Sequence, residues 1–291
     1  MNHQNRYEVA RREDAYPLYT LKDAETGSSV TICPERGAIA IGCTLRGTEL
    51  FYLDRATFED PQANIRGGNP VLFPICGQLV GGKFEWEGRE YAMRNHGVAR
   101  NRPWDVVSTS EEGEAALTVR LRSDESTLAE FPFAFELQFT YALRDGELHI
   151  RQTYRNLSDR GMPFYAGFHP YFRTENKDLA YETDATKYLD YNDNAVKPID
   201  GPVRLTGLKE SVALLDASER RIAFPGPDGG TVVLTYSDAF RYVVLWQVNG
   251  SPFVCVEPWM ALNAALNTRD GLPELEAGGT LELEVAIGYA R

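Results

Sequence analysis

Long hydrophobic runs are missing from this 291-residue chain. No stretch approaches the roughly 18 apolar residues that a membrane-spanning helix needs. The opening segment Met1-Asn2-His3-Gln4-Asn5-Arg6-Tyr7 lacks the charged-then-apolar order of a secretory signal. Cysteine is scarce: Cys33, Cys43, Cys76 and Cys255 stand far apart, with no CxxC pair and no disulfide framework. Small buried thiols are the expectation, and the chain reads as cytoplasmic. Positive charge is in deficit too. With 30 Lys and Arg against 42 Asp and Glu the net charge is -12, which disfavours binding to nucleic acid or to an anionic membrane. Helix signals are few, restricted to 56–60 and 261–266, so an alternating βαβ architecture is disfavoured.

What the chain does have is strand signal from end to end. Runs bounded by Gly, Pro, Asp or Asn recur at 16–21, 29–33, 39–45, 49–53, 115–122, 133–143, 147–156, 211–215, 231–236, 242–248 and 281–289. In 147–156, Leu148, Ile150, Gln152 and Tyr154 alternate with His149, Arg151, Thr153 and Arg155, the pattern of a strand with one core face and one wet face. Arg144-Asp145-Gly146-Glu147 and Pro227-Asp228-Gly229-Gly230 read as hairpin turns. The polar stretch 176–202 reads as a long excursion over a sheet surface. Hydrophobic content of 43% suffices for a sizeable core, and no repeat or low-complexity linker divides the chain. The expectation is one all-β antiparallel domain over 1–291, with 1–15 peripheral.

Two proton-handling side chains lie inside apolar, aromatic runs: His169 in Gly167-Phe168-His169-Pro170-Tyr171-Phe172, and Glu257 in Val254-Cys255-Val256-Glu257-Pro258-Trp259. Burying either side chain costs several kcal/mol, order of magnitude, unless it is paired or hydrogen-bonded. An acid/base pair is one reading. A satisfied core histidine and a salt-bridged strand end are the other. Of the remaining histidines, His3 falls in the terminal tail and His149 on a wet strand face. His96, in Arg94-Asn95-His96-Gly97-Val98-Ala99-Arg100, sits in a polar loop flanked by arginines. Arg66 precedes a glycine pair in Asn64-Ile65-Arg66-Gly67-Gly68-Asn69-Pro70, a segment without the spacing of a nucleotide phosphate loop. Phe73, Phe168, Tyr171, Trp246 and Trp259 are each either core packing or a stacking face for a sugar ring.

Taken in order, the R-G-G-x-P, N-H-G-x-A-R, G-F-H-P-Y-F and V-C-V-E-P segments resemble the aldose 1-epimerase (galactose mutarotase-like) family. The resemblance runs from about Tyr16 to Tyr289. Within it, Ile65-Arg66-Gly67-Gly68 and His96-Gly97-Val98-Ala99-Arg100-Asn101 look most like the branch acting on hexose 6-phosphates. That resemblance implies a large β-supersandwich with few short helices and an open sugar cleft on one sheet face. It implies Glu257 as general base and His169 as general acid, with His96, Arg66 and Arg100 holding the sugar or its phosphate. It implies an aldohexose or hexose 6-phosphate as the small-molecule partner, no cofactor or metal, and a monomer or weak homodimer. The chain departs from the family at Pro170, often Thr, and at Trp259, often Gly. A further acidic contact is open among Glu210, Asp193, Asp216 and Asp238.

The chemistry fits these residue types: exchanging anomers needs one group to take the proton of the C1 hydroxyl and one to protonate the ring oxygen. A non-catalytic sugar-binding or sugar-sensing protein on the same fold is the alternative. A glycoside-cleaving enzyme, which commonly pairs two carboxylates, ranks below both.

Overall fold

The computed structural model of the chain describes residues 5–291, so His3 lies outside it. Three antiparallel sheets dominate. A five-stranded meander orders Tyr7–Arg12, Leu18–Asp23, Ser28–Cys33, Ile39–Leu45 and Thr48–Glu49. The stretch expected to be peripheral thus supplies an edge strand, paired with Leu18–Asp23. A seven-stranded sheet runs Arg221–Pro225, Thr231–Tyr236, Thr280–Ala290, Glu147–Asn156, Phe135–Arg144, Ala115–Arg122, Asp105–Ser110. The third sheet carries the motifs: Ala195–Pro198, Lys187–Asp190, Val212–Leu214, Tyr242–Gln247, Phe253–Trp259, Gly167–Phe168 and Val71–Leu72, with Tyr171–Arg173 also on Phe253–Trp259.

The seven-stranded sheet follows the sequence pattern closely. In Glu147–Asn156 the even-numbered residues from Leu148 to Tyr154 are buried, and the odd-numbered ones face outward. Asp145 and Gly146, at φ of 52° and 76°, form the two-residue turn that joins this strand to Phe135–Arg144, as a primed hairpin turn requires. Three short α-helices occur among the described residues: Arg55–Glu59, Glu125–Glu130 and Ala265–Thr268. The first falls where a helix was expected; the last begins four residues later than expected. Glu125–Glu130 was not anticipated, although Asp124 and Thr127 form a reciprocal capping box at its start.

The expectation of a long irregular excursion over 176–202 is corrected. Lys187–Asp190 and Ala195–Pro198 form a hairpin that extends the third sheet at its edge, where partial exposure explains the weak apolar alternation.

The main core lies between the sheets. Phe73 packs against Phe135 and Phe164 with ring centroids 4.8 and 5.4 Å apart, and Phe139 of the seven-stranded sheet meets Phe168 of the third at 6.0 Å. The sheets build the β-supersandwich that the resemblance implied.

Candidate active site

Strand alternation places the two proton-handling residues. Phe168 anchors in the main core, so the next residue, His169, turns to the opposite face. In Phe253–Trp259, Val254 and Val256 join that core, whereas Phe253 and Cys255 join a small cluster with Tyr171 on the other side. Glu257 continues that other face and opens into a cleft of about 690 Å³. All five sequence-predicted residues, Arg66, His96, Arg100, His169 and Glu257, line this one cleft.

The histidine is 6% exposed and the glutamate 1%. His169 Nε2 stands 3.5 Å from Glu257 Oε1, while its Nδ1 is buried without a hydrogen-bond partner. Its ring stacks on Tyr171 at 4.8 Å and meets the His96 ring edge-on at 5.3 Å. Glu257 Oε2 accepts a hydrogen bond of 3.0 Å from the indole N–H of Trp259. Among the described residues no Lys or Arg lies within ion-pair distance of Glu257.

Burial pushes the Glu257 carboxyl well above its ordinary range, a shift opposed by the Trp259 hydrogen bond and the charge of Arg100. Burial drives His169 well below the usual histidine range, helped by the positive charges of Arg100 and Arg66. These directions favour the uncharged member of each pair: carboxylic acid and neutral imidazole. The carboxylate–imidazolium form has the same net charge and differs only by one proton moved across 3.5 Å. Transfer of a proton between Glu257 and His169 therefore leaves the net charge of the pair unchanged.

His96 adopts a left-handed backbone at φ 68°, uncommon for a residue with a side chain. Gly97, also left-handed, lets this turn close onto the chain at Phe73, where a Cβ would lie 2.3 Å from the carbonyl oxygen. The His96 backbone N–H donates to Gly77 O at 2.9 Å, and Nδ1 lies 2.7 Å from Cys76 O. A carbonyl only accepts, so Nδ1 carries the proton and Nε2 is left as an acceptor. Desolvation, with the nearby Arg100 charge, lowers its pKa to about 3, and the ring is neutral at physiological pH.

Arg66 is exposed, its guanidinium 5.6 Å above the Trp246 ring. Arg100 is half-buried, and its NH2 group donates a 3.5 Å hydrogen bond to Ile65 O. Burial lowers the Arg100 pKa.

Of the four acidic residues left open, Glu210 lines the cleft. The others do not: Asp193 caps its hairpin and pairs with Lys197, Asp216 accepts from Thr186 and Lys187, and Asp238 pairs with Arg220. Tyr171, Trp246 and Trp259 also line the cleft, whereas Phe73 and Phe168 are core. Sequence reasoning missed Gln78 and Asn263, whose side chains share a wall although 185 residues apart, joined by a 3.0 Å bond from Gln78 N to Asn263 Oδ1. All four cysteines are free and buried, and burial raises the Cys76 and Cys255 thiols. His169, Cys255 and Glu257 place three potential ligand atoms within 4.8 Å of one another, but a protonated thiol is a poor ligand.

Comparison with known proteins bears on the family and the fold. The sequence profile of the family described as Aldose 1-epimerase matches residues 17–287. The crystal structure of the Slr1438 protein from Synechocystis sp. PCC 6803 superposes with a TM-score of 0.91 at 35% identity, covering 98% of this chain and 99% of that one. A galactose mutarotase related enzyme from Lactobacillus acidophilus shares the fold, with a TM-score of 0.76 at 19% identity and 98% of each chain covered. The chromosomal LacX protein of Lactococcus lactis subsp. lactis is 24% identical over 69% of this chain and 76% of its own.

Proposed function

The chain belongs to the aldose 1-epimerase family, and from that premise we propose that one domain spanning the whole chain exchanges the α and β anomers of an aldohexose, with the 6-phosphate the favoured form. The observation that carries this reading is the buried Glu257–His169 pair, 3.5 Å apart in an open cleft.

Glu257 removes the proton from the C1 hydroxyl through Oε1, the oxygen not engaged by Trp259, while His169 gives a proton to the ring oxygen. The electrons of the O1–H bond form the carbonyl, and those of the C1–ring oxygen bond leave to the ring oxygen. The aldehyde rotates about C1–C2 and recloses from its other face. The same two groups return the protons. No charge is created overall, which suits a pair this deeply buried. His96 Nε2 accepts from a sugar hydroxyl, the Trp246 and Trp259 rings bound the sugar laterally, and Glu210 supplies the further acidic contact.

Two guanidiniums at one cleft support the phosphorylated substrate. Arg66 and Arg100 form a local positive site despite the net charge of -12, because charges within a few ångströms outweigh screened distant ones. NMR exchange spectroscopy over free and 6-phosphorylated hexoses tests the proposal. The wild type should accelerate exchange for at least one sugar, and Arg66→Ala and Arg100→Ala should each reduce turnover of the phosphosugar at least about tenfold more than that of the free sugar. Equal losses on both would remove phosphate from the reading. A wild type that binds sugar without hastening exchange would establish the non-catalytic alternative.

A further inference from the structure

Trp259 stands where the resemblance leads one to expect glycine, and its side chain is fitted to the site on two sides. Across the sheet Trp259 pairs with Gly167, and a Cβ on that glycine would lie 2.9 Å from the indole Cδ1. On the far edge of the ring, a Cβ on Gly77 would lie 2.9 Å from Cζ3. Two residues without side chains, distant in sequence, thus flank the indole at opposite edges. The residue is 4% exposed, and its ring meets His96 edge-on at 6.4 Å. Its N–H, held by that slot, is aimed at Glu257 Oε2 at 3.0 Å, and no other hydrogen bond to the buried carboxyl is present among the described residues.

We propose that Trp259 is a positioning residue that decides where the shared proton rests. An N–H donor favours the ionised carboxylate over the neutral acid, so it tips the Glu257–His169 pair toward carboxylate and imidazolium and makes Glu257 the base. It also occupies Oε2, which leaves Oε1, the oxygen facing His169, as the one that meets substrate. Gly77 and Gly167 act through the indole, fixing its plane. This inference rests on the acid/base reading of the pair.

The test replaces the donor and keeps a ring. In Trp259→Phe the carboxylate loses its partner, the Glu257 pKa rises, and the acid limb of the kcat/KM profile moves to higher pH by about one unit. The plateau of kcat falls about tenfold while KM stays within about twofold. Trp259 fluorescence supplies a second readout. The difference between the wild-type and Trp259→Phe emission should titrate with the carboxyl and lose that titration in Glu257→Gln. Circular dichroism and Tm establish that each variant is folded. A folded Trp259→Phe with wild-type kcat and an unmoved acid limb overturns the inference; so does a difference emission that titrates identically in Glu257→Gln. Glu257→Gln that still exchanges anomers would instead overturn the acid/base reading itself, so the two failures are distinguishable.

Discussion

Glu136 and Glu257 both lie in strands of the large sheets and are nearly inaccessible, at 3% and 1% exposure, yet the molecule treats them in opposite ways. Glu136, in the seven-stranded sheet, receives the guanidiniums of Arg122 and Arg155 at 2.6 Å each, and these hold its carboxyl below the ordinary range. Glu257, in the third sheet, has one indole N–H and a histidine 3.5 Å away, and burial lifts its carboxyl well above that range. One buried carboxylate is neutralised by the scaffold. The other is left with unmet demand facing a cleft, the condition under which it exchanges a proton with a ligand.

The largest expected effect separates the two by function. Glu257→Gln should lower anomer exchange by about 10²–10⁴-fold with sugar binding retained, whereas Glu136→Gln should leave exchange within about twofold. Loss of exchange in both would erase the distinction.

Stability should move in opposite directions. A carboxyl raised by the fold contributes stability that is present below its unfolded pKa and lost as pH rises through the folded one. Glu257→Gln should therefore raise Tm at pH 8, by about 2–4 °C, with the gain shrinking toward pH 4. A depressed carboxyl contributes above its unfolded pKa and loses that contribution as pH falls through the folded one. Glu136→Gln should cost about 1–2 kcal/mol at pH 7, read as a Tm lower by about 2–6 °C, with the loss shrinking below pH 4. Thermal melts across pH 4–8 check both slopes.

The smallest effect belongs to His96. Its neutral form is favoured in the fold, so its contribution is present above the ordinary histidine pKa and is lost as pH falls below about 6.5 toward about 3. His96→Asn should reduce the drop in Tm between pH 7 and pH 5 by about 1–3 °C. An unchanged drop would place the sensitivity elsewhere.

Legibility from sequence tracked how local the cause was. Ala115–Arg122, Glu147–Asn156 and Thr231–Tyr236 were read with their observed limits because alternation and flanking turns are written into those residues. The edge hairpin Lys187–Pro198 was not, because its stability comes from pairing with Val212–Leu214 rather than from its own pattern. His169 and Glu257 were conspicuous as polar residues in apolar runs. The wall shared by Gln78 and Asn263 left no local trace, since only the closed fold brings it together. Trp259 was visible as a departure from the family, but its hydrogen bond to Glu257 was not.

The strand Phe253–Trp259 is buried on both faces, and its positions divide by parity between two duties. Val254 and Val256 serve the main core; on the other face Phe253 and Cys255 pack with Tyr171, and Glu257 and Trp259 reach the cleft. Substitution at Glu257 can therefore reshape the cleft wall without touching Val254 or Val256, provided the count of residues is kept. Insertion or deletion of a single residue would exchange the duties of every position beyond it, sending a carboxylate into the core and a valine toward the sugar. The segment is open to change in letters and closed to change in length, the reverse of what holds for the turns at either end of the sheets.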